Sequence, residues 1–218
     1  MIEKEYLQKV LIKLSDESYD KLSSFKVPRP FFIFPELSFY VQENIACLSI
    51  GSYTSSITLS NFILERLLKL ALIEDELKLM CITHPWEKCH NKISPFFSLK
   101  TEHSIKQCKN RDIITEAERM EIGNHIKIYR HGFAHADTNN IFKNFPETYT
   151  VKYGAPFNDE IEFNLKKDHF VQFSFLQEFA KSNAIQYLEY VINLTFKIEK
   201  RLREKHPINR FNPPKKGL

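Results

Sequence analysis

The stretch from residue 37 to about residue 80 constrains the fold more than any other. Ile50, Tyr53, Ile57, Leu64, Leu67, Leu68 and Ala71 recur there at three- and four-residue steps. That spacing draws one continuous apolar stripe along helix, and a stripe of this length has to be buried against other elements. The stretch reads as one helix, or as two meeting at Gly51-Ser52. With only five glycines in 218 residues, a fold rich in tight turns is excluded. Neither GxGxxG nor GxxxxGK[ST] occurs, so the glycine loops that cradle nucleotides are absent too. A 43% hydrophobic content with 19 phenylalanines supplies ample core, and the length fits one domain.

The rest of the chain repeats the helical pattern with interruptions. Ile2, Tyr6, Val10 or Leu11, and Leu14 predict a helix over residues 2 to 24. Pro28, Pro30 and Pro35 forbid a regular helix around Phe31-Phe32-Ile33-Phe34, which is expected to pack as an extended segment on the helices. Residues 82 to 97 read as a connector, and 101 to 109 as a short helix. A helix from about 115 to 130 opens with Thr115 and Glu118, the spacing of a capping box. Residues 138 to 167 read as an insertion, with 148 to 153 and 160 to 165 as the arms of a short hairpin. A last helix runs from about 174 to 204, carrying Phe175, Phe179, Leu188, Val191, Ile192, Leu194, Phe196 and Ile198. The expected architecture is all-α, in one domain over residues 1 to 205. Residues 206 to 218 form a basic, proline-containing tail.

The net charge of +4 permits an acidic partner such as RNA without demanding one. Met1-Ile2-Glu3-Lys4-Glu5-Tyr6 lacks the apolar core of a signal peptide, and no run of about 18 apolar residues predicts a membrane span. Cys47, Cys81, Cys89 and Cys108 are too few for a disulfide framework in a chain this long, and read as reduced thiols of a cytoplasmic protein. Cys81, His84, Cys89 and His90 invite a zinc test. Zinc takes four ligands, commonly from two separated short pairs. Cys89 and His90 are adjacent, and no second pair follows, so no metal site is expected.

The chemistry concentrates in Ile128-Tyr129-Arg130-His131-Gly132-Phe133-Ala134-His135. Arg130 is a permanent cation whose planar fork of donors suits phosphate. His135 is a group that exchanges a proton near neutral pH. Five residues apart on a regular helix, the two would point about 140° from each other, so either a break near Gly132 or a second chain is needed to bring such groups together. Upstream, Leu64-Glu65-Arg66-Leu67-Leu68-Lys69 sets a carboxylate among apolar neighbours. Glu65 either pairs with Lys69 one turn on or is buried and needs another partner.

An apolar helix bearing the Glu65 segment, followed by a helix ending in Arg-x4-His, resembles the HEPN superfamily (higher eukaryotes and prokaryotes nucleotide-binding). The resemblance covers about residues 36 to 205. It implies an all-α bundle of four to five core helices, with the first helix and residues 138 to 167 as elaborations. It further implies a metal-independent endoribonuclease, without cofactor, working as a homodimer in which two motifs meet in one cleft. Arg130 and His135 would then be the catalytic pair. His131, at a position where that family typically has Asn, Asp or His, would support substrate binding. Members of this kind act as toxins, phage-defence effectors or RNA-processing enzymes, some with a cognate antitoxin or regulatory protein, and others are non-catalytic RNA-binding or protein-interaction modules. One subset has a tyrosine two residues after the motif histidine that is adenylylated. Asp137 stands there in this chain, so that mode of inactivation is not expected.

Overall fold

The computed structural model describes residues 4–26, 28–79, 89–134, 139–143, 145–152, 160–165 and 167–207. Among them the chain is mostly helical, with α1 (Lys4–Leu22), α2 (Pro35–Ser49), α3 (Tyr53–Glu76), α4 (His90–Phe97), α5 (Thr101–Asn110) and α6 (Glu116–His125). A π-helical segment (Ile126–Arg130) leads directly into α7 (His131–Ala134), followed by α8 (Asn139–Phe142), β1 (Thr148–Lys152), β2 (Glu160–Asn164) and α9 (His169–Lys205). The all-α class with one small hairpin agrees with the sequence reading.

The long helical stretch is two helices. Gly51 takes φ 71°, a conformation that glycine adopts without steric cost. Its N–H bonds the Leu48 carbonyl at 3.0 Å, and the Ser52 N–H bonds the Cys47 carbonyl at 2.8 Å. This pair of bonds is a Schellman motif, which satisfies the last carbonyls of α2. The break also corrects the expected stripe. Ile57, Leu64, Leu67, Leu68 and Ala71 are buried on α3, whereas Ile50 is exposed and Tyr53 only half-buried.

α3 is the central element, in contact with α2, α4, α5, the π segment and α9. Tyr187, Leu188, Val191, Leu194 and Ile198 of α9 are buried in the same core. At 37 residues, α9 spans about 55 Å. It starts five residues earlier than expected. The Asp168 carboxylate accepts the Val171 N–H at 3.2 Å, a side-chain N-cap. The first turns of α9 then pack against a second small core of Ile141, Phe142 and Leu165, and Phe175 belongs to this satellite rather than to the main core. The hairpin completes it, with Thr148 opposite Asn164 and Lys152 opposite Glu160.

The aromatic run before α2 packs as an extended segment. Phe31, Ile33 and Phe34 are buried, and the Phe31 and Phe196 rings lie 4.9 Å apart. Phe34, the residue before α2, provides no side-chain cap. Buried Glu199 of α9 satisfies the backbone just before the helix instead, its Oε1 accepting the N–H groups of Ile33 at 2.6 Å and Phe34 at 3.3 Å. The capping box forms as expected at α6, between Thr115 and Glu118. Arg201 adds an ion pair at 2.6 Å to the Glu118 carboxylate.

Two readings, one of a connector and one of a helix, need correction. Residues 90–97 of the expected connector form helix α4, which buries Ile93 and Phe96. The helix expected over 115 to 130 is α-helical only to His125 and then widens into the π segment. Among the described residues, no helix is long and apolar enough to cross a membrane. Residues 208–218 of the expected tail lie outside the described residues.

Candidate functional site

Arg130 closes the π segment, where the His131 N–H reaches back to the Ile126 carbonyl. The wider turn holds one more residue than an α-helical turn, so the positions after it are rotated relative to an uninterrupted helix. The sequence leaves two routes open, a break near Gly132 or a second chain, and the helix is not broken at Gly132 itself. Gly132 is buried within α7, and the irregularity lies just before Arg130 rather than after it.

This turn presents Arg130 to α3. Arg130 Nε lies 2.9 Å from Glu65 Oε1, with both side chains about one-third exposed or less. The Thr101 hydroxyl, at the start of α5, donates a short hydrogen bond to the same Glu65 oxygen. Three elements distant in sequence therefore converge on one carboxylate. Lys69 does not pair with Glu65 as the i+4 reading allows. Its ammonium donates to the Phe97 carbonyl at 3.1 Å.

Beneath the pair is an aromatic floor. Tyr129 stacks on Tyr187 with ring centroids 4.1 Å apart, and both are buried. The Tyr187 hydroxyl donates to Asn61 Oδ1 at 2.8 Å. Asn61 sits one helical turn before Glu65. α3 thus holds the residue preceding Arg130 through Tyr187 and holds Arg130 itself through Glu65. His125 joins the cluster with its ring 4.1 Å from Tyr190 and 5.2 Å from Tyr187.

Burial sets the protonation states of this floor. It pushes the phenols of Tyr129, Tyr187 and Tyr190 upward, with neighbouring acidic groups adding to the rise at Tyr187 and Tyr190. These hydroxyls stay neutral. Burial also lowers His125 below its ordinary value against the weaker opposing pull of Glu121, so its imidazole is neutral at neutral pH.

His131 follows Arg130 directly and is half-buried. His135 and Asp137 lie outside the described residues, as do Cys81 and His84 of the zinc test. Cys89 is a half-buried free thiol packed against the main core. Among the described residues, no group of three His, Cys, Asp or Glu side chains is arranged to hold a metal ion.

Sequence reasoning isolated Arg130 and Glu65 but did not join them. It missed Thr101, Asn61, Tyr187 and His125 altogether. A polar Asn61 inside an apolar helical run was the one available signal, since a buried amide needs a partner. No family model, curated protein or solved structure matches this chain.

Proposed function

We propose that the chain is a metal-independent endoribonuclease of HEPN type, with Arg130 and His135 as its catalytic pair. The observation that carries this reading is the Glu65–Arg130 ion pair at 2.9 Å, braced by Thr101. An arginine in a motif suited to phosphate is held by a carboxylate from another helix while remaining about one-third exposed. A guanidinium anchored in this way is preorganised to receive a phosphodiester.

In this mechanism His135 removes the proton of the ribose 2′-OH. The freed oxygen attacks the adjacent phosphorus, and the bond to the 5′-oxygen breaks. That leaving oxygen takes a proton from a second acid, either His131 or the symmetry-related His135 of a homodimer. The products are a 2′,3′-cyclic phosphate and a 5′-hydroxyl. Arg130 stabilises the charge building on the phosphoryl oxygens. His131 supports substrate binding. Partners consistent with this reading are RNA, a second copy of the chain, and a cognate antitoxin or regulatory protein in a toxin or phage-defence setting.

One observation favours a second reading, a non-catalytic module that binds RNA or protein. Arg130 already has an ionic partner, and Tyr129 beside it is buried, as an arginine with a structural task would be. Cleavage of labelled single-stranded RNA in excess EDTA separates the two. The first reading expects wild type to cleave and Arg130→Lys to lose most of that activity, because lysine lacks the planar fork. Binding without cleavage supports the second.

A further inference from the structure

The open face of α3 carries more than Glu65. Along this buried helix, Ser55, Thr58 and Phe62 are exposed and Glu65, Arg66 and Lys69 are half-exposed. At 100° per residue these six positions fall within about one-third of the helix circumference, so they form one stripe. α2 flanks it on one side, where Arg66 Nε pairs with Glu36 at 2.7 Å. Thr101 of α5 and Arg130 flank it on the other through Glu65. Lys69 closes the far end on the Phe97 carbonyl.

Phe62 is 44% exposed, with its ring 4.9 Å from Tyr40 of α2 in an edge-on arrangement. The preceding residue on α2, Phe39, is 70% exposed. Phe62 therefore leaves an aromatic face open to water beside the charged side chains of the stripe. The charges indicate its occupant. Glu65 within the stripe and Glu36 of α2 at its edge each face an arginine, while Lys69 donates to a neutral carbonyl. With Arg66 and Arg130 each matched by a carboxylate, Lys69 leaves this face with one net positive charge, which favours an anionic occupant. An aromatic shelf set in a cationic track is the pattern that binds single strands, with bases stacking on the rings and phosphates meeting the cations.

We propose that the open face of α3, from Phe62 and Tyr40 to Lys69, is a track for single-stranded RNA that stacks an unpaired base on Phe62 beside the phosphate held at Arg130. This rests on the ribonuclease reading and adds to it that the substrate is unpaired at the nucleotide adjoining the scissile phosphate. A duplex would offer no base face to Phe62.

The test measures binding of a short 2′-O-methyl RNA, which lacks the attacking hydroxyl, as a single strand and as a duplex, with oligomeric state followed by sedimentation. The proposal expects wild type to prefer the single strand and Phe62→Ala to weaken that binding by about 5-fold or more. Phe62→Trp, which keeps an aromatic face, should retain it. Undiminished binding by Phe62→Ala, with Arg130→Ala still impaired, overturns the track and leaves the Arg130 reading standing. Binding of neither form by wild type overturns both. A change of Phe62→Ala from dimer to monomer, with binding lost only in consequence, assigns the face to a second copy of the chain and overturns the track.

Discussion

Glu65 Oε1 holds Arg130 Nε at 2.9 Å across 65 residues of sequence, and the Thr101 hydroxyl holds that same oxygen from a third helix. The arginine is thereby fixed by groups outside its own motif. If it serves a phosphoryl group, Glu65 is a positioning residue. Glu65→Ala should lower cleavage by about 10- to 100-fold, because misplacing a catalytic group by about 1 Å costs on the order of 10². The same change should cost about 1–2 kcal/mol of stability, since the ion pair is partly exposed and screened but the buried Thr101 hydroxyl loses its acceptor. Glu65→Gln, which keeps an acceptor for Thr101, should fall between. Cleavage rates and melting curves on the same preparations check both halves.

Glu199 is a buried carboxylate whose task is structural. Its Oε1 takes the N–H groups of Ile33 and Phe34, at the entry to α2. Glu199→Ala strands two buried donors and should destabilise by about 2–4 kcal/mol. Glu199→Gln keeps an acceptor and should cost less. Urea denaturation should show the midpoint shifting without a change in slope.

His125 should make stability depend on pH. Burial depresses its pKa in the folded protein, so the unfolded chain binds the proton more readily. Stability is complete above the ordinary histidine value of about 6.5 and falls as pH drops through it toward the folded value. His125→Phe should flatten that part of the profile. Thermal melts of both proteins between pH 5 and 8 measure the difference.

Asp75 anchors the end of α9. It lies 2.6 Å from Lys205 Nζ, 2.9 Å from His206 Nε2 and 3.4 Å from Arg111 Nη1. Burial raises its pKa, but the Lys205 and His206 contacts outweigh this, and the carboxyl sits below its usual value of 3.8. The unfolded chain again holds the proton more readily, so this contribution is present above about pH 4 and lost as pH falls toward the folded value. Asp75→Asn should destabilise by about 1–3 kcal/mol at pH 7 and lose that deficit in acid. Hydrogen exchange should show the last turn of α9 opening more readily.

The helical class was legible because its signals are local. Ile57, Leu64 and Leu68 repeat at helical spacing, Thr115 and Glu118 stand three apart, and Gly51 marks the Schellman turn. Asp168 before His169 is an N-cap signal, and it sets the start of α9 five residues ahead of Ser174, where the apolar pattern begins. The π segment left no comparable trace, because Ile126-Lys127-Ile128-Tyr129-Arg130 would serve equally as an ordinary helix. The partner of Glu65 was hidden for another reason. Lys69 offers a local solution one turn away, and only tertiary packing brings Arg130 closer to the carboxylate. The floor of Asn61, Tyr129 and Tyr187 likewise comes from three helices meeting.

The most direct measurement of the central claim compares wild type with His135→Ala on end-labelled single-stranded RNA in excess EDTA, with the product ends identified. The account predicts metal-independent cleavage by wild type to 2′,3′-cyclic phosphate and 5′-hydroxyl ends. The folded His135→Ala variant should retain at most about one-hundredth of that rate. Equal cleavage by both proteins, or products bearing 5′-phosphate ends, would contradict it.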